Sequence, residues 1–216
     1  MNIDIITLYP LFWKNIINNY SIFKKAYIKK KVFIKIYNLR KYGIGNNNKI
    51  DDYQYGGGYG MILKIEPIYR CIKELKKKKK YDDIFFLTPN KKIINQKISK
   101  ITSKKKNILF LCGYFKGIDQ RIRDNLITKE YSIGKYILSN GDISTLVFID
   151  TIIRLIPGVI GNIKSAKTDS LYNNNIIKNE YPLYTRPYKY KNMKVPKILL
   201  SGNHKIINKW RENKKF

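Results

Sequence analysis

Two short, nearly continuous apolar runs constrain this chain most: Asp83 to Leu87, DIFFL, and Asn107 to Cys112, NILFLC. A strand with one wet face alternates apolar and polar residues, whereas a strand covered by helices on both faces does not. The runs therefore predict central strands of a parallel sheet. Parallel neighbours need a crossover, and Ile94 to Ile101 supplies a helical pattern between them. Each run ends in a polar or glycine-bearing turn, Leu87-Thr88-Pro89-Asn90 after the first and Gly113-Tyr114-Phe115-Lys116-Gly117 after the second. In open α/β sheets ligands bind beyond the carboxyl ends of the strands, so these turns are the expected walls of a pocket.

The remaining segments fit the same alternation. Ile3 to Leu8 reads as a strand ending at Tyr9-Pro10, and Leu11 to Asn18 as a helix. Ser21 is placed to cap a second helix through Lys30. Val32 to Tyr37 alternates as a strand, with Val32, Ile34 and Ile36 on one face and Phe33, Lys35 and Tyr37 on the other. From Asn38 to Gly60, which includes YGGGYG, the pattern is that of a long loop, and such loops inside a compact domain are functional or disordered. Glu66-Pro67 opens a helix that the lysines from Lys76 to Lys80 close.

The stretch from Ser132 to Gly161 carries features that packing alone does not require. Gly134 and Gly141 stand where backbone must bend or approach a ligand closely. Arg154 is the one basic residue in an apolar helical run from Ile143 to Ile156 that also carries Asp150. Burying an arginine without a partner is costly, so its position marks a site. Beyond this run, polar residues without an apolar period mark a linker, and a small basic region follows. There a helix is expected from His204 to Asn213, with Ile206, Ile207 and Trp210 on one apolar face. The domain organisation read from this is 1–160, a linker at 161–176, and a small domain at 177–216.

Charge narrows the partners. Lys and Arg number 44 against 15 Asp and Glu, a formal charge of +29, and such a field attracts polyanions, nucleic acid first and anionic membrane second. An A+T-rich coding sequence would over-supply Lys, Asn, Ile, Tyr and Phe together, so part of the excess has no binding role. The single histidine, His204, leaves His-based triads and His–metal clusters poorly supported. No GxxxxGK[ST] occurs, and Gly56 to Gly60 follows a loop rather than a strand, which argues against a nucleotide fingerprint. Cys71 and Cys112 lie far apart, as small core residues of a reduced compartment would. The N-terminus has no basic lead-in and no apolar run spans a membrane, so the reading is a soluble, cytoplasmic protein.

A set of ordered segments then carries a resemblance: IDIITLYP, DDYQYGGGYGM, LTP, LCGYFKGIDQR, YSIGKYILSNGD, IDTIIRLIPGVIGN, SAKTDS, YPLYTRP, VPKILLSGNH and INKWR. In order and approximate spacing they resemble the bacterial tRNA (guanine-N1)-methyltransferases, over nearly the whole chain. The resemblance implies an α/β fold of the SPOUT type, a parallel sheet with a C-terminal trefoil knot, followed by a small, mainly helical tRNA-binding domain. It implies S-adenosylmethionine held between three turns: Leu87, Thr88, Pro89 and Asn90; Gly113, Phe115 and Gly117; and Ile133, Gly134, Tyr136, Leu138 and Gly141. Tyr136 and Leu138 would pack on the adenine. Asp169, in SAKTDS, falls at the family's general base, and Arg154 at the group that meets charge developing on guanine. The resemblance also implies a homodimer in which the linker of one subunit covers the pocket of the other. The partner is tRNA, with neither DNA nor membrane expected, and Mg²⁺ is implied for activity.

Departures from the family pattern bear on this reading. Its CGRYEGIDER is CGYFKGIDQR here, so Lys116 replaces an acidic residue and Tyr114 an arginine, which weakens the case for a local metal contact. GGELPA becomes NGDIST, and the C-terminal region ends soon after Trp210-Arg211, as a reduced tRNA-binding domain would. Arg186, Lys189, Lys191, Lys194 and Lys197, interleaved with Tyr184, Tyr188 and Tyr190, are the expected RNA contacts, together with Ser201 to His204. The competing readings are a non-catalytic RNA-binding dimer and a knotted methyltransferase acting on ribosomal RNA.

Overall fold

The computed structural model describes residues 1–160 and 181–214. The chain divides into two compact units, Met1–Ile163 and Lys164–Phe216. The first is built on a five-stranded, all-parallel sheet of β1 (Asn2–Thr7), β2 (Phe33–Asn38), β5 (Asp83–Leu87), β6 (Asn107–Leu111) and β7 (Lys129–Tyr131), in the order β2-β1-β6-β5-β7. Between β1 and β2 lie α1 (Pro10–Asn19) and α2 (Ser21–Ile28), α3 (Ile65–Lys78) precedes β5, and α4 (Gln96–Thr102) joins β5 to β6. The two apolar runs are central strands as their composition predicts, and every residue of β5 is buried.

Helix α6 (Gly141–Ile153) covers the middle of this sheet through Phe148, whose ring meets Phe85 and Phe110 edge-on at 5.5 and 5.8 Å, while those two stack at 5.0 Å. Edge-to-face and offset pairs of this kind add to the energy of burial itself. Cys71 and Cys112 are buried and free, as expected of core residues.

Three local readings need correction. Residues 38–60 are not one long loop. A 3₁₀ turn, Leu39–Tyr42, is followed by a hairpin of β3 (Asp51–Tyr53) and β4 (Met61–Leu63), strands too short to show a period. Ser21 does not cap α2; it is the first helical residue, and the cap position is Tyr20. Helix α5 (Gln120–Asn125) and the edge strand β7 were not anticipated, since KEY offers no apolar pattern and gains its place by pairing with β5.

In the second unit the described residues form a two-stranded hairpin, β8 (Lys189–Tyr190) with β9 (Met193–Lys194), a 3₁₀ turn at Lys197–Leu200, and α7 (His204–Asn213). Helix α7 has the bounds its pattern predicts, and Asn203 caps it by accepting from the N–H groups of Lys205 and Ile206. Ile207 is buried, but Ile206 is 47% exposed, so the predicted apolar face is narrower than expected.

Candidate functional site

The carboxyl ends of β5, β6 and β7 open onto one cavity of about 380 Å³, within the range of small-molecule sites. After β5 the chain contributes Leu87, Thr88 and Pro89, with Phe86 beneath them. After β6 it contributes Gly113 through Gly117, and after β7 a long turn from Ser132 to Gly141. Of the twelve residues expected to hold a cofactor, eleven line this space, and Asn90 stands outside it, 3.2 Å from the Thr88 hydroxyl that donates to its side-chain oxygen.

One glycine is required here for a steric reason that can be located, and a second lies against a half-exposed ring. Gly141 donates its N–H to the Gly113 carbonyl at 2.7 Å, and a Cβ on Gly141 would lie 2.5 Å from the Gly113 nitrogen. Two backbone segments therefore cross with no room for a side chain. At Gly134 a Cβ would meet the Tyr136 ring at 2.1 Å. The turn around Gly134 is braced by Ser132, whose hydroxyl donates to the Gly134 carbonyl at 2.7 Å and accepts its N–H at 3.1 Å.

Behind the cavity wall lies a buried polar network that the sequence did not announce as such. The Asp142 carboxylate, in the first turn of α6, accepts from the Trp13 indole N–H and the Thr7 hydroxyl on Oδ1, both at 2.7 Å. Its Oδ2 accepts from the Tyr114 hydroxyl at 2.6 Å. The Tyr114 oxygen in turn accepts the Leu8 N–H at 2.8 Å and lies 2.8 Å from the Thr7 hydroxyl. All four side chains are buried. The network fastens the Gly113–Gly117 turn to β1, α1 and α6 at once. Burial, together with the nearby Cys112 and Asp142, raises the Tyr114 phenol far above its ordinary value, so it stays a proton donor. The available signals were Thr7 at the end of an apolar strand and Asp142 at a helix start.

Charged groups flank the cavity. Lys116 is exposed, and its side-chain carbons lie against Gly60 of the β3–β4 hairpin, so that a Cβ there would meet them at 3.1 Å. The hairpin is tied to the same turn by the Lys116 N–H donating to the Met61 carbonyl at 3.0 Å and the Leu63 N–H donating to the Gly117 carbonyl at 2.9 Å. On the other side Glu130 pairs with Arg123 through both oxygens, at 2.6 and 3.0 Å, and with Lys91 at 3.0 Å. The Arg123 hydrogen bond holds the Glu130 carboxyl below its usual value against the opposing effect of burial.

The two expected catalytic residues are not brought to this cavity together. Asp169 lies outside the described residues, as does the expected linker. Arg154 is not buried: it is the exposed C-cap of α6, because the helix ends at Ile153 and carries the side chain out of the core. At about 1.5 Å per residue it sits roughly 20 Å along the helix from Gly141 at the cavity. Asp150, one turn before it, is half-buried; burial raises its carboxyl above the usual range and Arg154 partly offsets this. Ile143 and Val147, exposed at 43% and 40%, continue the same stripe of α6.

Among the described residues no group of three or more His, Cys, Asp or Glu side chains is gathered to hold a metal. None of the described helices is long and apolar enough to cross a membrane. In the second unit Tyr184, Arg186, Tyr188, Lys189, Tyr190, Lys191, Lys194 and Lys197 are all exposed.

Comparison with known proteins places this geometry in context. A family model described as tRNA (Guanine-1)-methyltransferase TrmD matches residues 1–216. The tRNA (guanine-N(1)-)-methyltransferase of Christiangramia forsetii is 49% identical over 216 residues, covering 100% of this chain and 94% of its own. The Flavobacterium johnsoniae protein of the same name is 46% identical, covering 99% of this chain and 92% of its own. Among solved structures, the tRNA (m1G37) methyltransferase of Aquifex aeolicus superposes with a TM-score of 0.82 at 33% identity, covering 99% of this chain and 90% of that one.

Proposed function

The chain belongs to the tRNA (guanine-1)-methyltransferase family, and from that premise we propose that it methylates N1 of the guanosine immediately 3′ of the tRNA anticodon, position 37, in the cytoplasm. The observation that carries the reading is the convergence of three strand-end turns on one cavity, in a chain that matches the family from end to end. S-adenosylmethionine supplies the methyl group, as the electrophilic carbon of a sulfonium whose S–C bond breaks as the N1–C bond forms.

The residues present fit that group. Leu87, Ile133 and Leu138 give the cavity apolar walls, and Gly113, Gly117, Gly134 and Gly141 line it with no side chain between the backbone and a flat adenine ring. Neutral guanine carries a proton on N1 and is a poor nucleophile until that proton leaves. The Asp169 carboxylate takes it, a role worth about 10²–10⁴-fold in rate. Negative charge then grows on O6, where the Arg154 guanidinium stabilises it.

Reach supports a two-chain assembly. An arginine side chain extends about 7 Å, far less than the roughly 20 Å of helix between Arg154 and Gly141. Arg154 therefore serves the cavity of a second copy, and the exposed stripe of Ile143 and Val147 is the surface on which the copies meet. The return of the chain from edge strand β7 to α6, crossing the Gly113 turn closely enough to require Gly141, supports the knotted path. The basic, tyrosine-bearing second unit then meets the tRNA.

The test is transfer of labelled methyl from S-adenosylmethionine to tRNA bearing guanosine beside the anticodon, with ribosomal RNA as control. Label on guanine N1 is expected; transfer to ribosomal RNA alone, or none, refutes the reading. A mixture of Arg154→Ala subunits with Leu138→Trp subunits, the latter with a filled cavity, tests the assembly. Each parent is inactive, and the mixed dimer retains one intact site. Recovery toward a quarter of wild-type activity is expected, and no recovery refutes the shared site.

A further inference from the structure

Neither the fold nor the proposed reaction uses Lys116. It stands where this chain departs from its family's acidic residue, and it is the one charged side chain among the described residues that line the cavity. No described carboxylate pairs with it. The turn that carries it has an unusual shape. Phe115 has φ 57°, in the left-handed region that non-glycine residues seldom enter, and Gly117 has φ 135°. Strained backbone of this kind persists only where its surroundings hold it, and it clusters at ligand sites. Here the hold comes from outside the turn. The Lys116 N–H donates to the Met61 carbonyl and the Gly117 carbonyl accepts the Leu63 N–H, so the turn is fastened to the β3–β4 hairpin on both sides of the lysine. The aliphatic stem of Lys116 lies along Gly60, where a Cβ would stand 3.1, 3.2 and 3.2 Å from three of its carbons. A stem already packed leaves little but the ammonium to be ordered when a ligand arrives.

We propose that the Lys116 ammonium pairs with the α-carboxylate of the cofactor's amino-acid tail and so fixes the direction in which that tail lies. The proposal rests on the S-adenosylmethionine reading above. That molecule carries a sulfonium, an ammonium and one carboxylate. A lysine repels the two cations and attracts the anion, so the sole charged group of the described cavity wall has a single partner of the right sign. The other described walls are uncharged and suit the adenosine moiety. Pairing costs Lys116 little desolvation, because the side chain is exposed. The same contact discriminates among adenosine derivatives: one that lacks the carboxylate forfeits it, and one left with only a cation in its tail meets repulsion. An RNA phosphate is the other anion that the reaction brings near, and the experiment separates the two.

Calorimetric titration of the full chain compares S-adenosylhomocysteine with S-adenosyl-3-thiopropylamine, which keeps the amine and lacks only the carboxylate; neither can donate a methyl group. The wild type should bind the first roughly 5- to 10-fold more tightly, between the ceiling for an exposed ion pair and the floor for a hydrogen bond to a buried charge. Lys116→Met keeps a stem for Gly60 and removes the charge, so the preference should fall to about twofold or less. Lys116→Arg should keep the preference, and Lys116→Glu should invert it, since a carboxylate beside the tail favours its amine. A wild type that binds both ligands alike, or a preference that survives intact in Lys116→Met, would overturn the proposal. So would a Lys116→Met variant with unchanged ligand preference and weaker binding of an anticodon stem-loop RNA, because the lysine would then hold a phosphate. A wild type that binds neither ligand refutes the S-adenosylmethionine reading itself, whereas binding of both without preference leaves that reading standing and removes only the role of Lys116.

Discussion

Removing one oxygen, in Tyr114→Phe, tests whether the network behind the cavity holds the cofactor turn in place. The Tyr114 hydroxyl donates to Asp142 Oδ2 and accepts the Leu8 N–H. Phenylalanine keeps the ring and its packing against Tyr9, 5.7 Å away, but leaves a buried carboxylate oxygen and a buried backbone N–H each without that bond. A hydrogen bond to a charged group contributes about 1.5–3 kcal/mol, and an unpaired buried N–H costs about 1–3 kcal/mol. Relaxation and water entry recover part of this, so the expected loss is about 2–4 kcal/mol, or roughly 4–16 °C in Tm at the 2–4 °C per kcal/mol typical of chains this long. Urea unfolding read by tryptophan fluorescence reports on the right place, because Trp13 donates to the same carboxylate. Calorimetric titration with S-adenosylmethionine gives the second reading: a loosened Gly113–Gly117 turn should weaken binding by about tenfold, which is 1.4 kcal/mol. A variant within 0.5 kcal/mol of wild type in stability and unchanged in affinity would show that the hydrogen bonds of the Tyr114 hydroxyl neither stabilise the fold nor position the turn.

Other perturbations follow from the same geometry. Gly141→Ala places a methyl 2.5 Å from the Gly113 nitrogen, where only backbone can yield, so S-adenosylmethionine affinity should fall by tenfold or more, while Gly45→Ala, in open space at φ +69°, should leave it unchanged. Glu130→Gln removes the charge that pairs with Arg123 and Lys91. Because the folded state holds the Glu130 carboxyl below its usual value, its stabilising effect is present above the unfolded pKa of about 4.3 and is lost as pH falls through the lower folded value. The stability gap between wild type and variant should therefore be full at pH 7 and close in acid; a gap independent of pH would refute the assignment. Asp150 runs the opposite way, its carboxyl raised by burial, so Asp150→Asn in a monomer held apart by dilution should gain stability at neutral pH and none near pH 3.

Legibility from the sequence tracked how local the determining physics was. The runs DIFFL and NILFLC declared central parallel strands because burial on both faces leaves its mark on composition. The ends of α7 were readable because Asn203 caps it through its own neighbours. Strand β7 was not readable because its conformation comes from pairing with β5, far back in the sequence, and the β3–β4 hairpin was not because three-residue strands are too short to show a period. The turns after β5, β6 and β7 were recognisable singly as glycine-bearing bends. That they share one cavity depends on strand order, which no local pattern carries.

Arg154 shows where sequence reasoning and structure part, and why both were needed. In the sequence it looked costly, a lone cation in an apolar helical run. Two facts of the fold remove that cost: α6 ends at Ile153, and position 154 falls on the exposed side. The anomaly then moves to another level. On the same stripe Ile143 and Val147 leave apolar surface in water that a second helix would cover. In the proposed two-fold dimer, antiparallel α6 helices would bring the C-cap of one to the N-terminus of the other, and the roughly 20 Å along the helix between Arg154 and its own cavity would become the distance that delivers it to its neighbour's. The same stripe predicts that Val147→Asp, a charge buried in that contact, should separate the copies and abolish methyl transfer while leaving S-adenosylmethionine bound; full activity in a demonstrably monomeric variant would refute the two-chain site.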